Sequence, residues 1–308
     1  MCTYICRFVI PMRKISYTVP PALDGSSVAA VLRSHGFSTA LLRSLKKTYG
    51  ALSRNGCPVR TVDPVHTGDI VAVELNTDGA TAPPSAEKAV IVYADRDILV
   101  VNKRAGMAMY ETYNHHGNAL SNAVAAAGFD GPFRPIYRLD KDTSGLVVLA
   151  RHQLSAAKLA GKVQKDYYAV VPGAYTGSGT VDAPIAHCPD SNVRRQVDPA
   201  GVRAVTHWEA LGQQGGRTLL RVQLETGRTH QIRVHFAHLG TPLVGDSLYG
   251  TAPVGTRHLL HCKTIRLIHP VREEPVAFDC PFPSDMEEWN QCLPTAPTTS
   301  LPASCCPP

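Results

Sequence analysis

The stretch RLDKDTSGLVVLAR, residues 138–151, guides the interpretation of the rest of the chain. Within it, Leu146–Ala150 is an unbroken apolar run, which predicts a strand buried on both faces. Charged residues precede that run: Arg138, Asp140, Lys141 and Asp142. An aspartate in such a turn often only caps the backbone, and the alternative is a functional carboxylate at the edge of a sheet. The spacing alone does not choose between Asp140 and Asp142.

The chain alternates strand-like and helix-like runs from residue 90 onward. Strand-like runs include AVIVYADRDILVVNK, DYYAVVPG, RTLLRVQLET and KTIRLIH, and helical periodicity is confined to NALSNAVAAAG, QLSAAKLAGKV and HQIRVHFAHLG. Strands outnumber helices without a strict βαβ repeat, so we expect an α+β domain with a mainly antiparallel sheet over residues 90–293. The tail, residues 294–308, is rich in proline and threonine, which predicts disorder.

The composition limits the class of protein. With 308 residues, of which 44% are hydrophobic and 18% charged, the chain is long enough for two folding units. No apolar stretch approaches the roughly 18 residues of a membrane span, and the start lacks a signal-peptide cleavage pattern. We therefore expect a soluble, cytoplasmic protein without a membrane partner. Nine scattered cysteines without a CxxC pair are typical of reduced thiols.

One short segment has loosely metal-like spacing. His258, His261 and Cys262 fall within HLLHC, which continues into KTIRLIH, where the alternation predicts a half-buried strand. Structural zinc sites normally take four ligands in matched pairs, and no second pair accompanies these three. The sequence therefore predicts no metal site.

The first quarter of the chain carries most of the positive charge. Residues 1–76 hold nine basic and four acidic side chains, a net charge of +5 out of +6 for the whole chain. GSSVAAVLRSHG and STALLRSLKKTYG are predicted helices with serine caps and closing glycines, and a tight Asn55-Gly56 turn follows them. Basic residues around the second helix and this turn suit contacts with an RNA backbone: Arg43, Lys46, Lys47 and Arg54.

Residues 23–75 resemble the S4 RNA-binding domain. The matching segments are LLRSLKKTYGALSRNGCPV and VHTGDIVAV. The resemblance implies a small α/β domain over residues 1–76, with two helices packed on a sheet and a basic face for structured RNA. The next segment, residues 77–89, is rich in Pro, Gly, Ala and Thr, and we predict a flexible linker there.

Five blocks of the larger unit resemble the RluA-type pseudouridine synthases. RLDKDTSGLVVLAR matches the family signature of arginine, leucine and aspartate, two variable positions, and threonine-serine-glycine. ILVVNKRAGM, KDYYAVVPG, LETGRTHQIRVHFAHLGTPLVGDSLYG and RHLLHCKTIRLIHP match further blocks. The resemblance implies a pseudouridine synthase catalytic domain over residues 90–293. It implies uridine in RNA as the substrate, with large-subunit ribosomal RNA as the first expectation and transfer RNA as the second.

The resemblance also implies roles for individual residues. Asp140 becomes the catalytic aspartate, Tyr167 packs on the target base near C5, and Arg233 pairs with Asp140. Arg138 helps to fill the space that a flipped base leaves in the RNA. The reaction breaks the N1–C1′ bond, turns the uracil and rejoins it through C5. In it the aspartate acts either as a nucleophile at C1′ or as a base on the sugar, and neither a metal nor a small-molecule cofactor is required.

Neighbouring polar residues receive secondary roles. Successive residues of a strand face opposite sides, so Tyr168 is expected in the core. Arg228 and Thr229, near a predicted helix start, are candidates to hold a phosphate of the substrate. Three histidines of the same segment are expected to pack or to face solvent rather than to react: His230, His235 and His238.

The sequence departs from the family pattern at some positions and leaves rival functions open. Tyr137 stands where the family usually has histidine, and Cys262 replaces a small residue, which puts the choice of substrate in doubt. One rival is a non-catalytic RNA-binding or ribosome-assembly factor, and another is a nucleoside glycosylase that releases uracil. Intact Asp140, Tyr167 and Arg233 favour the synthase, which we expect to be a monomer.

Overall fold

The computed structural model describes residues 13–75, 79–111 and 117–293. It divides into two compact units. The first comprises the described residues up to Asp166 together with His261–Pro281, and the second comprises Tyr167–Leu260 and residues 282–293. In the described part of the chain, no helix is long and apolar enough to cross a membrane. This division differs from the predicted domain limits, which stay predictions, and the predicted tail lies outside the described residues.

The secondary structure is dominated by short strands. Among the described residues, two short 3-10 helices, Pro21–Leu23 and Ser284–Cys292, accompany the other elements. These are β1 Arg13–Thr18, α1 Val28–Ser34, α2 Thr39–Leu45, β2 Leu52–Arg54, β3 Cys57–Pro58, β4 Ile70–Leu75, β5 Val90–Ala94, β6 Ile98–Lys103, α3 Leu120–Ala126, β7 Ser144–Ala150, α4 Gln153–Leu159, β8 Gln164–Pro172, β9 Ser178–Asp182, β10 Ile185–His187, β11 Arg195–Val197, β12 Val205–Gln214, β13 Arg217–Leu224, α5 Gln231–His238, β14 Leu260–Ile268 and β15 Pro275–Asp279.

The N-terminal part of the first unit packs α1 and α2 on a four-stranded sheet. The strand order is β1-β4-β2-β3, and every neighbouring pair is antiparallel. The hydroxyl groups of Ser27 and Ser38 accept the backbone N–H groups of Ala30 and Leu41, so both helices have the predicted serine caps. Two helices on a small sheet are the arrangement that the S4 resemblance implied.

This N-terminal part shares a core and an ion pair with the rest of the first unit. Leu154 of α4 belongs to the same apolar cluster as the buried leucines of α1 and α2. Arg13 donates through Nε and Nη2 to the carboxylate of Asp97, at 2.8 and 3.1 Å. Deleting the N-terminal part would therefore expose Leu154 and remove a partner of Asp97.

The described part of the predicted linker, residues 79–89, is hydrogen-bonded to α3. Ser85 and Ala89 donate their N–H groups to the carbonyls of Asn122 and Ala123, at 3.2 and 2.9 Å. The side-chain amide of Asn122 donates to the Pro83 carbonyl at 2.7 Å. The segment differs from the flexible coil that its composition predicted, because its backbone groups pair with α3 instead of water.

Antiparallel pairing prevails in the rest of both units. In the first unit, β5–β6, β6–β7 and β14–β15 are antiparallel, and β7 pairs with β14 in parallel. In the second unit the order is β8-β13-β12-β9, with β12 antiparallel to both neighbours, and β10 and β11 form a separate hairpin. The expected α+β fold with a mainly antiparallel sheet is confirmed.

Candidate active site

The loop before β7 carries Asp140 in the first unit. The N–H of Thr143 donates to the Asp140 carbonyl at 3.1 Å and closes the turn. Arg138 is exposed and Asp140 is half-buried, whereas Leu139 between them is buried. The buried leucine anchors the loop and leaves its charged neighbours nearer to solvent.

Close packing against β14 explains the glycine of the threonine-serine-glycine motif. Gly145 has a φ of +116°, and a Cβ placed on it would lie 2.2 Å from the carbonyl oxygen of Cys262. This close approach belongs to the parallel pairing of β7 with β14, where Gly145 is opposite Cys262. Any side chain at this position would force β7 away from β14 and shift the loop that precedes it.

A buried lysine ties the same loop to the end of β6. The Nζ atom of Lys103 donates to the backbone carbonyls of Met107, Lys141 and Arg104, at 2.8, 2.9 and 3.0 Å. Its side chain is fully buried. An ammonium group so placed is compensated by several acceptors, and one of those acceptors lies directly after Asp140. Sequence reasoning gave Lys103 no role.

A second buried anchor joins the start of β7 to β14 and to Cys280, the residue directly after β15. The ring nitrogens of His261 lie 2.8 Å from Ser144 Oγ and 3.3 Å from Cys280 Sγ. All three residues are almost completely buried. Burial raises the pKa of the Cys280 thiol to about 12, which keeps it protonated at neutral pH. Both nitrogens of His261, considered above as a metal ligand, are thus engaged with other side chains.

Tyr137, which stands where the family usually has histidine, is also fixed. Its hydroxyl donates to the Leu146 carbonyl at 2.9 Å, and the ammonium nitrogen of Lys165 lies 4.6 Å from the centroid of its ring. Burial lowers the pKa of Lys165 from its ordinary value. The tyrosine therefore secures β7 and forms a cation–π contact.

The adjacent tyrosines of β8 lie in the second unit. Tyr167 and Tyr168 are both buried, at 6% and 8% exposure. Tyr168 packs in an apolar cluster with Met286 and Trp289, and its ring meets that of Phe282 edge-on at 5.4 Å. The core role predicted for Tyr168 is confirmed, and the base-packing role of Tyr167 stays a prediction.

Arg233 of α5 forms a buried two-point ion pair with Asp246. Its Nε donates to Oδ2 at 2.7 Å and its Nη2 to Oδ1 at 2.9 Å. The side chains are 8% and 0% exposed. Burial would raise the pKa of Asp246, but Arg233 lowers it overall by hydrogen bonds and charge. Sequence reasoning did not identify Asp246, and the predicted pairing of Arg233 with Asp140, which belongs to the other unit, stays a prediction.

Aromatic and imidazole groups surround this ion pair. The guanidinium carbon of Arg233 lies 5.0 Å from the centroid of the Tyr249 ring, and the Tyr249 hydroxyl lies 2.8 Å from Nδ1 of His230. Burial lowers the pKa of nearby His258 to about 3, and the positive charge of Arg233 acts in the same direction. His258 is therefore neutral near pH 7. His230, expected to have no chemical role, supports the ring beneath Arg233.

At the start of α5, the side chain of Gln231 occupies backbone and side-chain donors that precede the helix. The Gln231 side chain accepts from the Thr226 hydroxyl at 2.8 Å and from the Arg228 N–H at 3.0 Å. Arg228 and Thr229 are exposed beside it. One turn further on, His235 is buried and bonded to Thr206 and a backbone carbonyl, as the structural role predicted for it requires.

The predicted RNA-contacting residues of the N-terminal part fall into two groups. Arg43, Lys46 and Lys47 are exposed, and within residues 13–75, 79–111 and 117–293 none of them forms an ion pair. Arg54 instead lies 3.8 Å from the Asp69 carboxylate and donates to the Pro64 carbonyl. The first three are therefore better available to a phosphate backbone than Arg54 is.

Comparison with known proteins identifies the family. A sequence model described as RNA pseudouridylate synthase matches residues 97–238. The chain is 37% identical over 266 residues to the uncharacterized RNA pseudouridine synthase YjbO of Bacillus subtilis, covering 82% of this chain and 94% of that protein. The chain belongs to the RNA pseudouridine synthase family. The blocks quoted from its sequence make it a synthase of the RluA type.

Two further comparisons extend this identification. The synthase is 36% identical over 299 residues to the ribosomal large subunit pseudouridine synthase D of Xylella fastidiosa, covering 87% and 89% of the two chains. The structure called human RNA pseudouridylate synthase domain containing 1 superposes with a TM-score of 0.54 at 27% identity, over 68% of this chain and 89% of that chain. This synthase is accordingly an isomerase that converts uridine in RNA to pseudouridine.

One cluster of the synthase has the composition of a metal site. Single ligand atoms of Asp95, Asp97 and His269 lie within 4.8 Å of one another. However, His269 Nε2 is 2.8 Å from Asp95 Oδ2, and Asp97 is bonded to both Arg13 and His152. These carboxylates are already paired with cationic and imidazole groups, so the cluster is better suited to joining the parts of the first unit than to binding a cation.

Proposed function

We propose that this synthase modifies uridine in large-subunit ribosomal RNA, with transfer RNA as the alternative substrate. The match along almost the full length of the Xylella fastidiosa large-subunit enzyme carries the proposal. A Pseudomonas aeruginosa protein with the same name, 36% identical over 262 residues, adds support.

Asp140 is proposed as the catalytic carboxylate, either as a nucleophile at C1′ or as a base on the sugar. A carboxylate performs either task only when it is ionised, and a neighbouring guanidinium favours that state. The contacts of Lys103 and Gly145 support the assignment, because they fix the backbone that follows Asp140. Accurate placement of the reacting group is what such a constraint supplies.

Tyr167 and Arg233 are proposed as its catalytic partners, with Arg138 as an RNA contact. The target nucleotide must leave its stack, which costs a few kcal/mol and calls for an aromatic surface to receive it. Tyr167 supplies that surface and a hydroxyl near C5, while Arg233 orients the aspartate. The exposure of Arg138 suits a residue that fills the vacated space, and exposed Arg228 and Thr229 suit phosphate contacts.

The N-terminal residues 1–76 are proposed as an S4-like RNA-binding domain ahead of the catalytic domain at 90–293. Support comes from the two-helix fold and from the exposed Arg43, Lys46 and Lys47, with Arg54 in a lesser role. A cytoplasmic, monomeric enzyme without a cofactor is the arrangement that we expect.

The test is to incubate the purified protein with large-subunit ribosomal RNA and with transfer RNA, and to map pseudouridines chemically. Asp140→Asn should abolish product while RNA affinity stays nearly intact, because the side chain keeps its shape and loses its charge. Asp142→Asn is the matched control and should be mild. An inactive Asp142→Asn with an active Asp140→Asn would refute the assignment, and release of free uracil would indicate a glycosylase instead.

A further inference from the structure

Asp246 is held in place before it meets Arg233. Its Oδ1 accepts the backbone N–H groups of Leu248 and Tyr249, both at 3.0 Å. The preceding Gly245 has φ +82°, and a Cβ there would lie 2.1 Å from the Arg257 carbonyl oxygen. The loop can thus carry only glycine at this position, and its backbone fixes the carboxylate independently of Arg233.

The fixed carboxylate determines both the edge and the plane of the guanidinium. Its two oxygens bind Nε and Nη2 of Arg233, which defines one edge, and Nη1 takes no part in this pair. The Tyr249 ring contacts the face of the same group at 5.0 Å. A planar guanidinium constrained at one edge and one face has little rotational freedom left.

We propose that Asp246 is a positioning residue for the isomerisation, which sets the orientation of Arg233 through the two-point ion pair. The inference rests on the proposed function, in which Arg233 acts in the active site. Asp246 itself touches no reacting atom in this scheme. It acts only by holding Arg233 in the geometry that the transition state requires.

Burial of the pair argues for orientation rather than for stability. Taking two charges out of water costs free energy that their attraction often does no more than repay, and an apolar pair of similar volume commonly stabilises a fold as well. The ion pair, at 8% and 0% exposure, therefore fixes the direction of the Arg233 side chain, which a pair of apolar residues such as leucine and methionine could not do. That geometry is the two-point alignment of Arg233.

The first experiment measures steady-state kinetics of Asp246→Asn in the full-length protein, with the RNA that the wild type modifies. We expect kcat to fall about 100-fold, the loss typical of a misplaced catalytic group, with KM changed less than about threefold. Asp285→Asn is the matched control. The carboxylate of Asp285 accepts from Nε and Nη2 of Arg257, as that of Asp246 does from Arg233, but Asp285 is exposed. This control variant should keep wild-type kcat.

A double-mutant cycle separates positioning from general support of the fold. In an Arg233→Lys background, Asp246→Asn should lower kcat by less than about threefold, because the group that it orients is gone. If Asp246 merely supported the fold, its loss would cost the same factor in both backgrounds. Equal factors, or a wild-type kcat for Asp246→Asn, would overturn the proposal.

Asp246→Glu controls for the possibility that Asp246→Asn fails to fold, because the glutamate keeps the negative charge that compensates Arg233. It moves the carboxylate by about one bond length, ~1.5 Å, so kcat should fall while the melting temperature stays close to that of the wild type. A Glu variant with full kcat would contradict the inference. A wild-type protein that forms no pseudouridine in any RNA would instead refute the proposed function, and this outcome is read before any variant is made.

Discussion

The two charged residues proposed for catalysis are held in different ways. Around Asp140, the contacts of Lys103 and Gly145 act on the backbone of the loop. Around Arg233, the contacts of Asp246 and Tyr249 act on the guanidinium group itself. The contacts around the half-buried aspartate thus constrain its backbone, whereas those around the buried arginine constrain its guanidinium group. The position of a short side chain follows closely from its backbone, whereas a long side chain needs partners along its length.

After Asp140→Asn, the largest effect is expected at Tyr167 of the second unit. Tyr167→Phe keeps the aromatic face and loses the hydroxyl, so RNA should bind well while kcat falls by about 10²–10⁴, the range for loss of an acid–base group. The measurement is single-turnover conversion at saturating RNA. Tyr168→Phe is the control and should change little, because Tyr168 packs against Phe282. Equal losses in both variants would show that the hydroxyl of Tyr167 has no special part in the chemistry.

The next effect tests the backbone support of Asp140. Lys103→Met leaves the carbonyls of Arg104, Met107 and Lys141 without their charged donor, so we expect a loss of about 3–5 kcal/mol in the free energy of unfolding and a lower kcat. Chemical denaturation and kinetics measure the two losses. Lys162→Met, at an exposed position, is the control. Full activity in Lys103→Met would show that the loop holds its shape without the lysine.

The contrast also shows what the sequence could predict. Periodicity and capping residues predicted helices and strands, because the caps Ser27 and Ser38 and the apolar runs determine structure within a few residues of themselves. The resemblance supplied Asp140, Tyr167 and Arg233. Lys103 and Asp246 were missed although both stand in quoted blocks, because their partners are backbone carbonyls or residues brought together only by folding. Composition also misled at residues 79–89, where coil-like sequence is bonded to α3.

A pH effect is expected from His258 beside the Arg233–Asp246 pair. Its pKa is about 3 in the folded protein against an ordinary 6.5, mainly because of burial. The unfolded chain therefore binds the proton more readily, so the contribution of His258 to stability is constant above about pH 6.5 and falls as the pH drops towards 3. His258→Gln should flatten that fall in urea titrations between pH 7.5 and 5, and exposed His238→Gln should not. Equal slopes for His258→Gln and the wild type would contradict the assignment.

The smallest effect concerns RNA binding by the N-terminal part. Substitutions suit this test better than a deletion, because Arg13 and Leu154 join that part to the rest of its unit. A triple variant with glutamine at the exposed positions Arg43, Lys46 and Lys47 should weaken binding of long structured RNA and flatten its salt dependence. Each lost phosphate contact lowers the log–log slope by roughly 0.7–0.9.

A second triple variant makes this last prediction specific to the surface. Glutamine at Lys88, Arg96 and Lys162, which are also exposed, removes the same charge from other parts of the first unit. It should keep most of the wild-type slope, whereas the N-terminal variant loses about two units or more if all three residues contact phosphates. Both variants should retain kcat at saturating RNA, since binding common to ground and transition states affects KM. Equal slopes in the two triple variants would mean that the N-terminal charge acts only through the overall field of the protein, and the S4-like assignment would then lose its functional support.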